Sequence, residues 1–140
     1  MRGWWKDTGR PEDLLDANRL ILSRLEGDVQ GNIENSSLTG EIFVHASASI
    51  KNSKIRGPVS IAAGVTIEDS YVGPYTSLGE NVRVISSEVE YSILIDGSSL
   101  EHLSQRMDSS ILGERASVTG SAKSQNTVQF LIGDGSSVKL

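Results

Sequence analysis

Aliphatic residues return to the same phase every 17 positions along much of this chain, as in Ile33, Ile50, Ile67 and Val84. Leu38, Ile55, Val72 and Val89 form a second such series, and Val44, Ile61, Leu78 and Ile95 a third. Within one repeat the apolar positions advance by steps of six, six and five. A small residue stands two places before each member of the second series, at Ser36, Ser53, Ser70 and Ser87. Side chains alternate along a strand, so each serine shares the inward face of its ladder residue. Three short strands per turn, each sending one large aliphatic side chain inward, describe a triangular coil. Stacked coils bury faces that no single coil can bury, and pair their backbones above and below. The pattern predicts a mainly β chain folded as a parallel β-helix of 17-residue coils. A β-sandwich would show longer strands whose spacing drifts. The spacing leaves the handedness of the coil open.

After Ile95 the register blurs, because the period next places Glu101 inward. An interruption is predicted from Glu101 to Asp108, as a loop or protruding turn. Repeat-like phrases return at Ser110-x-Leu112-Gly113 and Ala116-x-Val118. Thr119 to Asn126 reads as a polar loop. Val128 to Ile132 and the pair Val138 and Leu140 read as closing strands that cap the core.

Residues 11 to 26 follow a different period. Pro11 suits the first turn of a helix, where its missing N–H costs nothing. Glu12 and Asp13 complement the positive end of the helix dipole in that turn. Leu14, Ala17, Ile21 and Leu25 trace a helical face with Leu15 and Leu22 beside it, and Gly27 is a natural C-cap. One partner for this face is the open end of the β-helix, whose strand edges would otherwise invite aggregation. The other is a separate domain, a reading supported by the adjacent Trp4 and Trp5. The predicted organisation is a junction segment and α-helix over 1–28, followed by a β-helix with a C-terminal cap over 29–140.

Composition narrows the function classes. The chain has 140 residues, 37% of them hydrophobic and only 5% aromatic, so the core must be aliphatic. A net charge of −5 gives no basic footprint for nucleic acid. No apolar run approaches the roughly 20 residues that span a bilayer. The absence of cysteine excludes disulfides, zinc–thiolate clusters and thiol nucleophiles. The N-terminus carries no signal-peptide pattern, so a cytoplasmic address is the default.

The segment Gly3-Trp4-Trp5-Lys6-Asp7-Thr8-Gly9-Arg10-Pro11-Glu12-Asp13-Leu14-Leu15-Asp16-Ala17-Asn18-Arg19 resembles the junction of long-form glucose-1-phosphate thymidylyltransferases. Arg56-Gly57-Pro58-Val59, residues 67–77, Glu88 to Leu94 and Ser110-x-Leu112-Gly113 extend the likeness over essentially the whole chain. The resemblance implies a left-handed β-helix, placed behind an α/β nucleotidyltransferase domain that does the chemistry. Such enzymes join a sugar 1-phosphate to dTTP with Mg²⁺, releasing pyrophosphate. Their Gly-rich triphosphate loop is absent here, so the chain alone is expected to be inactive. It begins at Met1 just inside the junction segment, which suggests a truncation or a split reading frame. The resemblance assigns metal binding to Asp7; in this chain alone a solvated or helix-capping carboxylate is the competing role. It also implies a homo-oligomer, with a trimer favoured.

The alternative function is a hexapeptide-type acyltransferase acting on an amino-sugar phosphate, with histidine as general base. Only His45 and His102 are available. His45 follows a ladder residue and should point outward; His102 lies in the interrupted stretch. A pure binding module is the third possibility, with Tyr71, Tyr75 and Tyr91 gathered on the outer wall. Glu88 and Glu90 flank Val89 and read as a solvated face, while Arg83, Arg106 and Arg115 look scattered.

Overall fold

The computed structural model describes residues 10–120, 131–135 and 137–139. Its strands, nearly all of two or three residues, stack in parallel into a β-solenoid of about five turns, as the repeat predicts. Three sheets form the walls. The first runs from Asp28–Val29 through Ile42–Val44, Val59–Ile61, Thr76–Leu78, Ile93–Leu94 and Ile111–Leu112 to Leu131–Ile132. The second runs from Asn32–Glu34 through Ser49–Lys51, Thr66–Glu68, Arg83–Ile85, Ser99–Glu101 and Ser117–Thr119 to Ser137–Lys139. The third holds Ser37–Thr39, Lys54–Arg56, Tyr71–Val72, Glu88–Glu90 and Met107–Asp108.

The register is the one that the 17-residue period requires through the first three coils: Ile33 lies on Ile50 and Ile50 on Ile67, and Leu38 lies on Ile55 and Ile55 on Val72. Val44 lies on Ile61 and Ile61 on Leu78. All of these from Val44 onward are sealed from solvent. Ladder stacking thus places aliphatic side chain on aliphatic side chain, at the close packing that makes a dry core.

The period then slips. Leu94, not Ile95, pairs with Leu78 and faces the core, 16 positions on from 78. The coil is one residue short at the corner before Ile93. Leu100 therefore faces inward on Val84, and Ser99–Glu101 is a regular strand with its glutamate outside. The predicted interruption is narrower than 101–108: an insertion between Leu100 and Met107 restores the stack, with Met107 under Val89. The signal was present in the run Ile93-Leu94-Ile95. Alternation allows either the middle residue or its two neighbours to face in, and the helix outside decides between them.

That helix, α1, spans Pro11–Leu22 and stops before the predicted Gly27. Ser23 ends it, donating its N–H to Arg19 O and its hydroxyl to Leu20 O at 2.7 Å. Gly27 is used later, where its N–H meets the Glu41 carboxylate at 2.7 Å as the chain enters the first rung. α1 does not cover the open end of the solenoid. It lies on the outer wall of the first sheet, with Leu14 and Leu15 packed on Ile111, Tyr91, Ile93 and Ile95. Asn18 pins its middle, donating to Tyr75 O at 3.3 Å and accepting from the Ser77 hydroxyl at 2.7 Å. The buried face is Leu14, Leu15, Leu22 and not the predicted Ile21, which is 69% exposed. Of the C-terminal expectations, the strands at 131–132 and 137–139 are present; the rest of 121–130 lies outside the described residues.

Serines close the corner between the second and third sheets. Ser36, Ser53, Ser70 and Ser87 each donate to the carbonyl two residues back, at 2.7–2.9 Å. Each also accepts the backbone N–H of the next coil: Ser53, Ser70, Ser87 and then Leu103, at 3.0–3.1 Å. The hydroxyl relays hydrogen bonds where the turning backbone cannot pair directly. Thr76 differs: its Oγ1 is buried without a partner, stacked on Val59. Two substitutions separate these cases. Thr76→Val should raise stability by about 1 kcal/mol, since it removes an unpaired buried hydroxyl at constant shape. Ser70→Ala should lower it by about 1–3 kcal/mol, because the Ser87 N–H loses its acceptor. Urea unfolding of both variants checks the opposite signs; stabilisation by Ser70→Ala would refute the relay.

Candidate functional site

The residues with polar chemistry gather where the chain turns. At the corner between the second and third sheets, Asn35, Asn52, Asp69, Ser86 and His102 occupy successive coils, each with φ between 48° and 56°. Asparagine and aspartate tolerate this left-handed conformation better than most residues. The Asn35 amide donates to Asn52 Oδ1 at 2.7 Å, so the row begins as a stacked amide ladder. Beside it runs a groove of about 980 Å³, lined by Asn35, Asn52, Asp69, Lys54, Tyr71 and Glu88 among others. Its walls offer donors and acceptors of both charges, suited to hydrogen bonding along the coil axis.

One end of this face is tied by a cluster whose members lie apart in the sequence. Arg106 bridges Glu88 and Glu90, each at 3.0 Å, and its guanidinium sits 5.1 Å from the centre of the Tyr71 ring. Burial disfavours the Arg106 cation, but the hydrogen bond it donates to Glu88 and the charges of Glu90, Glu88 and Tyr71 outweigh it and hold its pKa above the ordinary value. Glu88 and Glu90 are therefore half of an ion-pair network, not a bare solvated face. The two-residue shift in the coil that contains Arg106 is what delivers it there, and no fixed period could foresee the pairing. Arg83 likewise pairs with Glu101 at 3.3 Å.

The candidate bases are not brought together. His45 sits at the corner after the first sheet, its Nδ1 bonded to the Ser47 hydroxyl at 3.0 Å and accepting the Ser47 N–H at 3.1 Å. It is exposed, as expected, and caps its own turn. His102 is exposed at the corner after the second sheet, its N–H on Ile85 O. Of the three tyrosines, Tyr75 and Tyr91 meet edge to face at 6.3 Å under α1, while Tyr71 is apart under Arg106. The Tyr91 hydroxyl reaches Asp16 of α1 at 3.3 Å. These two aromatic rings serve the helix contact. Asp7, the residue assigned to metal, lies outside the described residues. Among the described residues no three His, Asp or Glu side chains converge as a metal site requires, and no helix is long and apolar enough to cross a membrane.

No family model matches the chain. The glucose-1-phosphate thymidylyltransferase of Streptomyces antibioticus is 39% identical over 141 residues, covering 100% of this chain and 39% of that protein. This chain matches the C-terminal part of glucose-1-phosphate thymidylyltransferases. The Streptomyces griseus thymidylyltransferase agrees, at 38% identity over 99% of the chain and 39% of its own length. The bifunctional protein GlmU of Methanocaldococcus jannaschii is 48% identical over 118 residues, covering 81% of the chain and 29% of that protein. The chain thus spans well under half the length of these relatives, and the catalytic portion of the thymidylyltransferases lies outside the matched part.

Arg106→Ala tests the cluster. Its pairs are partly exposed, so global stability should fall by less than about 1 kcal/mol. Amide exchange over residues 101–108 should nevertheless accelerate, because the insertion loses its anchor. Unchanged exchange there would show that packing of Leu103 and Met107 alone holds the insertion.

Proposed function

We propose that this chain is the structural and assembly part of a nucleotidyltransferase that makes a nucleotide sugar from a sugar 1-phosphate and dTTP. The full-length match to the C-terminal part of two thymidylyltransferases carries this reading. The architecture supports it: the interior is filled by aliphatic ladders, and many of the described polar groups serve corners and surface ion pairs. In this reading residues 1–28 are the junction and helix, and 29–140 the solenoid. In the longer enzyme Asp7 would give one carboxylate to Mg²⁺, which when bound would offset charge on the substrate phosphates. The working compartment is the cytoplasm.

A second reading has a specific observation behind it. The archaeal GlmU relatives are bifunctional by name and reach 48% identity to this chain. In that reading the corner groove and His102 serve acyl transfer to an amino-sugar phosphate.

One assay of the purified chain, run with two substrate pairs, decides between them. With dTTP and glucose 1-phosphate no nucleotide sugar should form; turnover would overturn the first reading. With acetyl-CoA and an amino-sugar phosphate, thiol release that His102→Ala abolishes would establish the second.

We further propose that the solenoid associates side by side as a trimer. Light scattering behind a sizing column should give about three times the 15.0 kDa chain mass. A mass of one chain would leave assembly to the rest of the enzyme.

A further inference from the structure

Among the described residues, the first rung of the solenoid leaves its core layer bare. Val29, Ile33 and Leu38 are the inward residues of the first rung, one from each sheet. Their successors Val44, Ile50 and Ile55 are sealed, yet Val29 is 49% exposed and Ile33 and Leu38 are only half buried. The other large exposed hydrophobics among the described residues are Leu20 and Ile21, at 57% and 69%. They lie in the last turn of α1, whose chain enters that same first rung a few residues later. The first rung also presents three strand edges that no strand among the described residues pairs with. Apolar surface and unpaired edges in one place mark a surface that binds something.

We infer that this end of the solenoid, with the Leu20–Ile21 shoulder of α1, is the seat of the nucleotidyltransferase portion that precedes it in the longer relatives. The inference rests on the functional reading above. The relatives devote 39% of their length to the part matched here, which leaves roughly 200 residues ahead of it. Those residues join the chain upstream of Arg10, at the start of α1. The helix carries the bare layer roughly 18 Å from that point, at 1.5 Å per residue. A folded portion of roughly 200 residues has a radius of gyration of about 16 Å, so it reaches the layer without leaving the junction. Contact there would set the orientation of the catalytic part against the solenoid, which a lone helical tether would leave free.

The test joins the preceding portion of the Streptomyces antibioticus enzyme to this chain and compares hydrogen exchange with the chain alone. Amides of residues 28–39 should exchange about tenfold more slowly in the joined protein, as local opening is suppressed. The double substitution Ile21→Ser, Val29→Ser should restore fast exchange there. Nucleotide-sugar formation by the joined protein reports separately on the functional reading. Activity with unchanged exchange at 28–39 would overturn the docking and leave that reading standing. Protection without activity would keep the docking and remove the reading. Protection in the chain alone that grows with its concentration would assign the surface to a second copy, and so overturn the inference.

Discussion

The solenoid depends on solving one hydrogen-bonding problem at its corners. A flat rung pairs its amides with the rung above, but a chain that turns three times per coil points some N–H groups away from any strand. A buried, unpaired amide costs on the order of 1–3 kcal/mol, and the cost would recur in every coil. Here Ser36, Ser53, Ser70 and Ser87 absorb it, each hydroxyl donating within its own coil and accepting from the next. Ser92 repeats the device at another corner, taking the Ser110 N–H at 3.1 Å. Side-chain carboxylates do the same outside: Asp96 accepts the Glu80 N–H at 2.9 Å and Asp134 the Glu114 N–H at 2.8 Å. Once the corners are satisfied, the aliphatic ladders can stack without strain, and coil number becomes adjustable.

This explains why the fold was so legible. A period fixed by geometry leaves its imprint on both the large inward residues and the small corner residues, so Ile50 and Ser53 carry the same message. What the period could not carry was its own slippage. The coil ending at Leu94 is one residue short, and the coil holding Met107 makes up the length. Both changes are local rearrangements of a corner, invisible to any count that assumes 17. The buried face of the helix departs from its period for a related reason. Leu14, Leu15 and Leu22 were in view, but Ile21 belongs to the exposed side, because Asn18 fixes the rotation of α1 on Tyr75 and Ser77. Those two hydrogen bonds join residues 57 and 59 apart in sequence, and no periodicity reports them.

The site-level reading fared differently from the fold. His45 and His102 were correctly placed outside the core, yet each sits at a separate corner, as residues following different walls must. The Arg106 cluster leaves no mark in the sequence, because its members are ordinary surface charges until the insertion folds Arg106 back over Tyr71. Asp7 drew its meaning from resemblance alone and lies outside the described residues. Function in this chain is written in a junction segment and a whole-length likeness, while the solenoid's own side chains are mostly committed to holding coils together.

The outer walls show how the same solenoid separates its tasks. The second and third sheets present Ser, Thr, Lys and Glu, with cross-rung pairs such as Arg83 with Glu101 keeping opposite charges adjacent. Surface pairs of this kind add little stability, but they leave both walls polar and closed to casual strand pairing. The first sheet alone turns Ile93, Ile95 and Ile111 outward, and α1 covers them. The helix is thus a fourth layer on one wall, bonded through Asn18 and Asp16 and therefore fixed in direction. A fixed helix between an upstream portion and a rigid stack transmits orientation, whereas a flexible linker of the same length would not. On the proposed reading, that rigidity would let the solenoid set the orientation of a catalytic part that the solenoid coils do not themselves contain.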